Sequence, residues 1–152
     1  MTDTQRVIPI AVFASGSGSN FKAIHTAIKN GEINGRITLV LSNNPKCGAI
    51  IFAEAEGIET SILNGKRYPT QEVYNQALTD LLKQYDVELI LLAGYMKMIP
   101  DIIVDLFDKR IMNIHPALLP QFGGKGYYGL NVHQAVIKAG KRETGATVHF
   151  VN

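Results

Sequence analysis

The chain has 152 residues, 46% of them hydrophobic and 18% charged, with a formal net charge of +2. This is the composition of one globular domain, large enough to bury about 68–70% of the surface its unfolded chain exposes, and with no Lys/Arg stripe it gives no basis for a nucleic-acid partner. Cys47 is the single cysteine, so no internal disulfide forms, which fits a reducing cytoplasm; residues 1–6 lack a signal-peptide core and no apolar run is long enough to span a membrane.

Strand and helix patterns then alternate along the chain. Residues 7–14 are apolar and β-branched, and are followed by a Ser/Gly loop and a helical pattern over 20–29. Residues 37–41 read as a strand closed by Ser42-Asn43-Asn44-Pro45. A helix follows at 49–56, with Cys47 in the turn that enters it as a buried, idle thiol. Gly57 breaks into a short strand at 58–63. Residues 70–85 form the clearest amphipathic helix, with Val73, Tyr74, Ala77, Leu78, Leu81 and Leu82 on one stripe. The aliphatic run 88–93, bounded by Gly94, has the character of a central parallel strand covered on both faces. Pro100-Asp101 starts a short helix over 99–107, and 110–114 is the next strand. A Gly-rich loop over 116–130, a helix over 131–139 and a strand over 144–151 complete the pattern. The expected fold is a single α/β domain with a doubly wound, mostly parallel sheet.

Such sheets bind ligands beyond the carboxyl ends of their strands, at the switch in strand order. The loops after Ala14, Ala93 and Ile114 are therefore the candidate walls of a site. Asn113-Ile114-His115-Pro116 lies at one of these ends. Residues i and i+2 of a strand share a face, so Asn113 and His115 project together, as an oxyanion and proton-transfer pair would. The plain alternative is a strand-end histidine bonded to backbone.

Ser15-Gly16-Ser17-Gly18-Ser19-Asn20 follows the first strand and opens the first helix. Its glycines permit a tight turn, and a helix N-terminus attracts anions. A dinucleotide fingerprint needs a third glycine where Phe21 stands, and the second strand ends in Ser42-Asn43 with no acid for a ribose. A P-loop ending is missing as well. A single phosphate on the amides of Gly18, Ser19 and Asn20 fits best; a strand-to-helix turn capped by Ser or Asn is the other reading of the same residues.

Taken together, the 15–20 loop, Ser42-Asn43, Leu91-Leu92-Ala93-Gly94-Tyr95-Met96, Asn113-Ile114-His115-Pro116 with Leu118-Leu119-Pro120, and the 145–151 segment resemble the glycinamide ribonucleotide formyltransferase family, collinearly over nearly the whole chain. The resemblance implies a Rossmann-like formyltransferase fold and transfer of a formyl group from 10-formyltetrahydrofolate, a co-substrate, to the amine of 5′-phosphoribosylglycinamide in purine biosynthesis. It implies that Gly18, Ser19 and Asn20 hold the substrate phosphate and that Met96, Lys97, Met98 and Ile99 wrap the pterin, chiefly through backbone groups. It further implies that Asn113 binds the formyl oxygen and that His115 carries the proton. The partners are then two small molecules, with no nucleic acid and no membrane; oligomeric state is left open. Other formyl-folate enzymes, a formyltetrahydrofolate deformylase or a methionyl-tRNA formyltransferase domain, share the Asn-x-His-Pro segment, and an inactive nucleotide-binding fragment is the non-enzymatic alternative.

Three departures accompany the resemblance. The family places an aspartate shortly after the 145–151 strand, and this chain ends at Asn152; the expectation is a domain lacking its C-terminal part and impaired on its own. Gln71 stands where some members carry an arginine near the folate tail, with Lys66 or Arg67 as replacements. The 123–129 loop is longer and richer in glycine than in some relatives, and Asn131 replaces a histidine. His25, His133 and His149 are expected to serve packing or surface roles, and no Cys/His/acid spacing matches a metal site.

Overall fold

The computed structural model describes residues 7–114. Among these described residues, five strands alternate with four α-helices: β1 (Ile8–Phe13), α1 (Ser19–Lys29), β2 (Gly35–Ser42), α2 (Gly48–Ala55), β3 (Thr60–Ile62), α3 (Gln71–Gln84), β4 (Leu89–Ala93), α4 (Asp101–Leu106) and β5 (Ile111–Ile114). A one-turn 3₁₀ segment, Gly65–Arg67, precedes α3. The strands form one sheet in the order β3-β2-β1-β4-β5, and every pairing is parallel. The chain winds outward from β1 in one direction through β2 and β3, then crosses back to β4 and β5. The switch point lies between the carboxyl ends of β1 and β4.

Strands buried on both faces have no solvent side to mark with polar residues, so β1 and β4 are apolar at every position. Val12, Leu91 and Met112 pack on one face against Phe21 and Ile24 of α1 and Ala49 and Ile50 of α2. Phe13, Leu92 and Ile111 pack on the other against Leu78 and Leu82 of α3 and Ile103 of α4. α3 is the amphipathic helix expected: Tyr74, Leu78 and Leu82 are buried while Val73 is exposed. The Thr70 hydroxyl caps it by accepting from the Val73 amide at 3.1 Å, without a capping-box partner.

Several boundaries move. The strand expected over 58–63 pairs only at Thr60–Ile62, because it is an edge strand whose ladder lasts only as long as β2 residues Val40, Leu41 and Ser42 lie beside it. The helix expected from residue 99 starts at Asp101, with Pro100 in extended backbone before it. The β1–β2 register also shifts: Ile10 faces Ile37 but Ala11 faces Leu39, so Thr38 is an extra residue in β2. That bulge exchanges the faces of the residues after it, which places Leu39 and Leu41 with the α3–α4 core and Val40 with the α1–α2 core.

Candidate active site

Residues that leave the carboxyl ends of β1, β2 and β4 meet at the switch point. The ladder of β1 forks there: the Ala14 amide donates to Leu41 on one side at 3.0 Å, and the Ser15 amide donates to Gly94 on the other at 3.2 Å. The Ser15 hydroxyl repeats the fork through its side chain. It donates to Asn43 Oδ1 at 2.7 Å and accepts from the Met96 amide at 2.9 Å.

On the α1–α2 face, Gly18 turns the chain into α1 with φ of 84° and caps the helix with no side-chain hydrogen bond. The cap residue is therefore Gly18, not the Ser or Asn of the alternative reading. A positive φ of this size favours glycine, and here space demands it too: a Cβ on Gly18 would lie 2.8 Å from Ala49 Cα. The fit is mutual, since a Cβ on Gly48 would lie 2.5 Å from the Ser17 carbonyl oxygen. The loop thus lies directly on the start of α2, tied by the Ala49 amide donating to Gly16 at 3.1 Å. Gly16, Ser17 and Ser19 are exposed, and Asn20 is buried at 8% exposure, so its side chain is turned away from solvent. A helix start without a side-chain cap, and with no acidic residue in its first turn, is suited to an anion.

On the opposite face a cavity of about 610 Å³ opens between the segments after β3 and β4 and the start of α3, a size ordinary for small-molecule sites. Residues 63–66, Gln71, Tyr74, Asn75 and residues 97–102 line it. Lys97, Met98 and Ile99 are among them; Met96 is not, and its backbone turns instead to Ser15. Met96 and Met98 are 80% and 91% exposed. Lys66, but not Arg67, joins Gln71 at the wall. Tyr95 points inward: its ring meets Phe13 edge-on at 5.3 Å, and burial, then the neighbouring Tyr74 hydroxyl, pushes its phenol up well above tyrosine's ordinary value. Tyr95 thereby joins the loop after β4 to the cavity wall on α3.

Asn113 is exposed at the end of β5, opposite Leu92 of β4. Pairing puts it on the same sheet face as Leu92 and Ile111, the side of the cavity. His115, His133, His149, Asn131 and the 116–130 loop lie outside the described residues. His25 packs between Phe21 and Phe52 and meets Glu56 at 3.2 Å. Cys47 is buried, its sulfur 3.4 Å from the Ser42 hydroxyl. Among the described residues no group of three His, Cys, Asp or Glu could hold a metal ion, and no helix is long and apolar enough to cross a membrane. Sequence reasoning missed Ser15 and Gly48, and gave Asn43 no role; the adjacency of Ser42-Asn43 to a strand end was the available signal.

The sheet order, the glycine turn and the strand-end amide fit a formyl transferase, and a family profile of that description matches residues 8–152: the chain belongs to that family. It is similar to the phosphoribosylglycinamide formyltransferases in particular. It is 48% identical over 144 residues to the chloroplastic enzyme of that name from Arabidopsis thaliana, covering 94% of this chain and 49% of that protein. It is 39% identical over 142 residues to the Bacillus subtilis (strain 168) enzyme, covering 93% of this chain and 70% of that one. The crystal structure of glycinamide ribonucleotide transformylase 1 from Symbiobacterium toebii superposes with a TM-score of 0.71 at 34% identity, covering 96% of this chain and 66% of that one. The chain spans about half the length of the plant relatives it matches.

Proposed function

We propose that the protein transfers the formyl group of 10-formyltetrahydrofolate to the amine of 5′-phosphoribosylglycinamide. Family membership supports this, and one geometric observation carries it: a glycine-capped helix start on one face of the sheet and a cavity of small-molecule size on the other, both beyond the carboxyl ends of the strands. In this reading the amides of Gly18, Ser19 and Asn20 hold the phosphate. Met96, Lys97, Met98 and Ile99 contact the pterin, and the acidic tail of the folate runs past Lys66, which supplies the positive charge Gln71 does not.

The amine lone pair attacks the formyl carbon, a new C–N bond forms, and the carbonyl electrons move to the formyl oxygen. Asn113 donates a hydrogen bond to that oxygen as its charge develops. A protonated His115 stabilises the same charge and passes a proton to the departing folate nitrogen as its C–N bond breaks; the attacking amine gives up the balancing proton. A donor such as Asn113 is worth ~10²–10³ in turnover.

The test incubates the complete product of the gene encoding this chain with glycinamide ribonucleotide and 10-formyl-5,8-dideazafolate, and follows release of the deformylated folate. Release that requires the ribonucleotide is the expected result. Release without it indicates hydrolysis of the donor, as in a deformylase. No release under either condition overturns the proposal in favour of a binding protein.

A further inference from the structure

Two substrates that must meet at bonding distance are held, in the reading above, by loops leaving different strands, and the ladder between those strands stops at Ser15 and Gly94. Past that point the Ser15 hydroxyl takes over. A serine hydroxyl has one proton and two lone pairs. Donating the proton to Asn43 Oδ1 at 2.7 Å leaves only lone pairs for Met96, whose amide donates to Ser15 Oγ at 2.9 Å. Asn43 thus fixes the orientation in which Ser15 can receive Met96. Three loops, after β1, β2 and β4, converge on one oxygen atom.

We propose that Ser15 is a positioning residue that, through Asn43, sets the folate-side segment 96–99 at its working distance from the phosphate-side turn 16–19. This rests on the proposed function. The contact with Met96 is exposed, and Met96 itself is 80% exposed, so water can satisfy the Met96 amide when the hydroxyl is removed. The fold therefore survives the change. Loop position does not, because water bonds to the amide without holding it to β1, and misplacement by about 1 Å can lower turnover on the order of 10²-fold.

The experiment compares Ser15→Ala, Ser15→Thr, Asn43→Ala and the Ser15→Ala/Asn43→Ala double variant, made in the complete gene product. Two readouts are taken: steady-state kinetics for each substrate, and hydrogen exchange at the Met96 amide. Ser15→Ala should lower kcat by roughly 10- to 100-fold, leave KM for the ribonucleotide within about twofold of wild type, and speed Met96 exchange. Ser15→Thr, which keeps the hydroxyl, should recover most of the lost turnover. The double variant should be no slower than Ser15→Ala, as expected of two groups acting through one contact. Unchanged kcat in Ser15→Ala with an active wild type overturns the proposal and leaves the formyl-transfer reading intact. So does a loss shared equally between kcat and the ribonucleotide KM, or a loss Ser15→Thr does not relieve. A wild type that transfers no formyl group overturns both.

Discussion

Replacing Gly18 by alanine sets a methyl group 2.8 Å from Ala49 Cα, 3.0 Å from Ala49 Cβ and 3.1 Å from Ala49 N, on a residue whose φ is +84°. Ala49 has no room to retreat: it is fully buried, and its amide is bonded to the Gly16 carbonyl. The left-handed conformation costs an L-residue roughly 1–2 kcal/mol. Driving a carbon into packed backbone costs about 1–3 kcal/mol more. The sum is about 3 kcal/mol, a large part of the stability of a domain this size. Gly16, two residues earlier in the same loop, provides the control, since a Cβ there meets nothing within 4 Å. Gly16→Ala should change stability by no more than about 0.5 kcal/mol. Urea unfolding of both variants measures the contrast. Because the displaced turn begins α1, Gly18→Ala should also raise the ribonucleotide KM on the order of tenfold. Two variants of equal stability would refute the reasoning, since it rests wholly on what surrounds each glycine.

Thr38→Val should stabilise the protein by about 1 kcal/mol in the same titration, because the Thr38 hydroxyl is buried without a hydrogen-bond partner and valine has the same shape without the polar atom; a destabilised variant would mean the hydroxyl has a partner. Tyr95 stays protonated in the folded state to a higher pH than in the unfolded chain. Its contribution to stability is then complete below about pH 10, tyrosine's ordinary value, and is lost as the pH rises above it. Tyr95→Phe should accordingly show a shallower fall in unfolding free energy between about pH 9 and about pH 11; identical slopes in variant and wild type would count against that burial. Asn113→Ala should lower turnover by ~10²–10³ with little change in melting temperature, given that Asn113 is exposed, and near-normal turnover would remove it from the mechanism.

The strands were the most legible part of this sequence, because a strand covered on both faces must be apolar throughout, and the aliphatic runs at 8–13 and 89–93 are. The long helix α3 was legible through its period. Ends were less so. The extent of β3 depends on how far β2 runs beside it, and the start of α1 depends on contact with α2, neither of which is local. Within the site, Gly18 was legible as a turn, but the reason for glycine lies in Ala49, thirty-one positions on. The Ser15 contacts span 28 and 81 positions, and no spacing rule reaches that far. The cavity is assembled from three separate segments, so it has no signature in any one of them.

Thr38 has a consequence well outside its own surroundings. β2 carries one residue more than β1 needs over the same stretch, and everything after that residue is advanced by one step of the chain. Deleting one residue between Leu39 and Ser42, with the bulge kept, would pull Asn43 back along the sheet by about 3.3 Å. The face of its side chain would reverse as well, and the carboxamide would then have no way to reach Ser15. Loss of Thr38 itself would only restore the plain ladder and leave Asn43 in place. Length variation in this family should therefore be tolerated in the turn between α1 and β2, at residues 30–34, and forbidden between the bulge and Ser42. A sheet that looks uniform has a fixed gauge, cut by a single supernumerary threonine near its lower end.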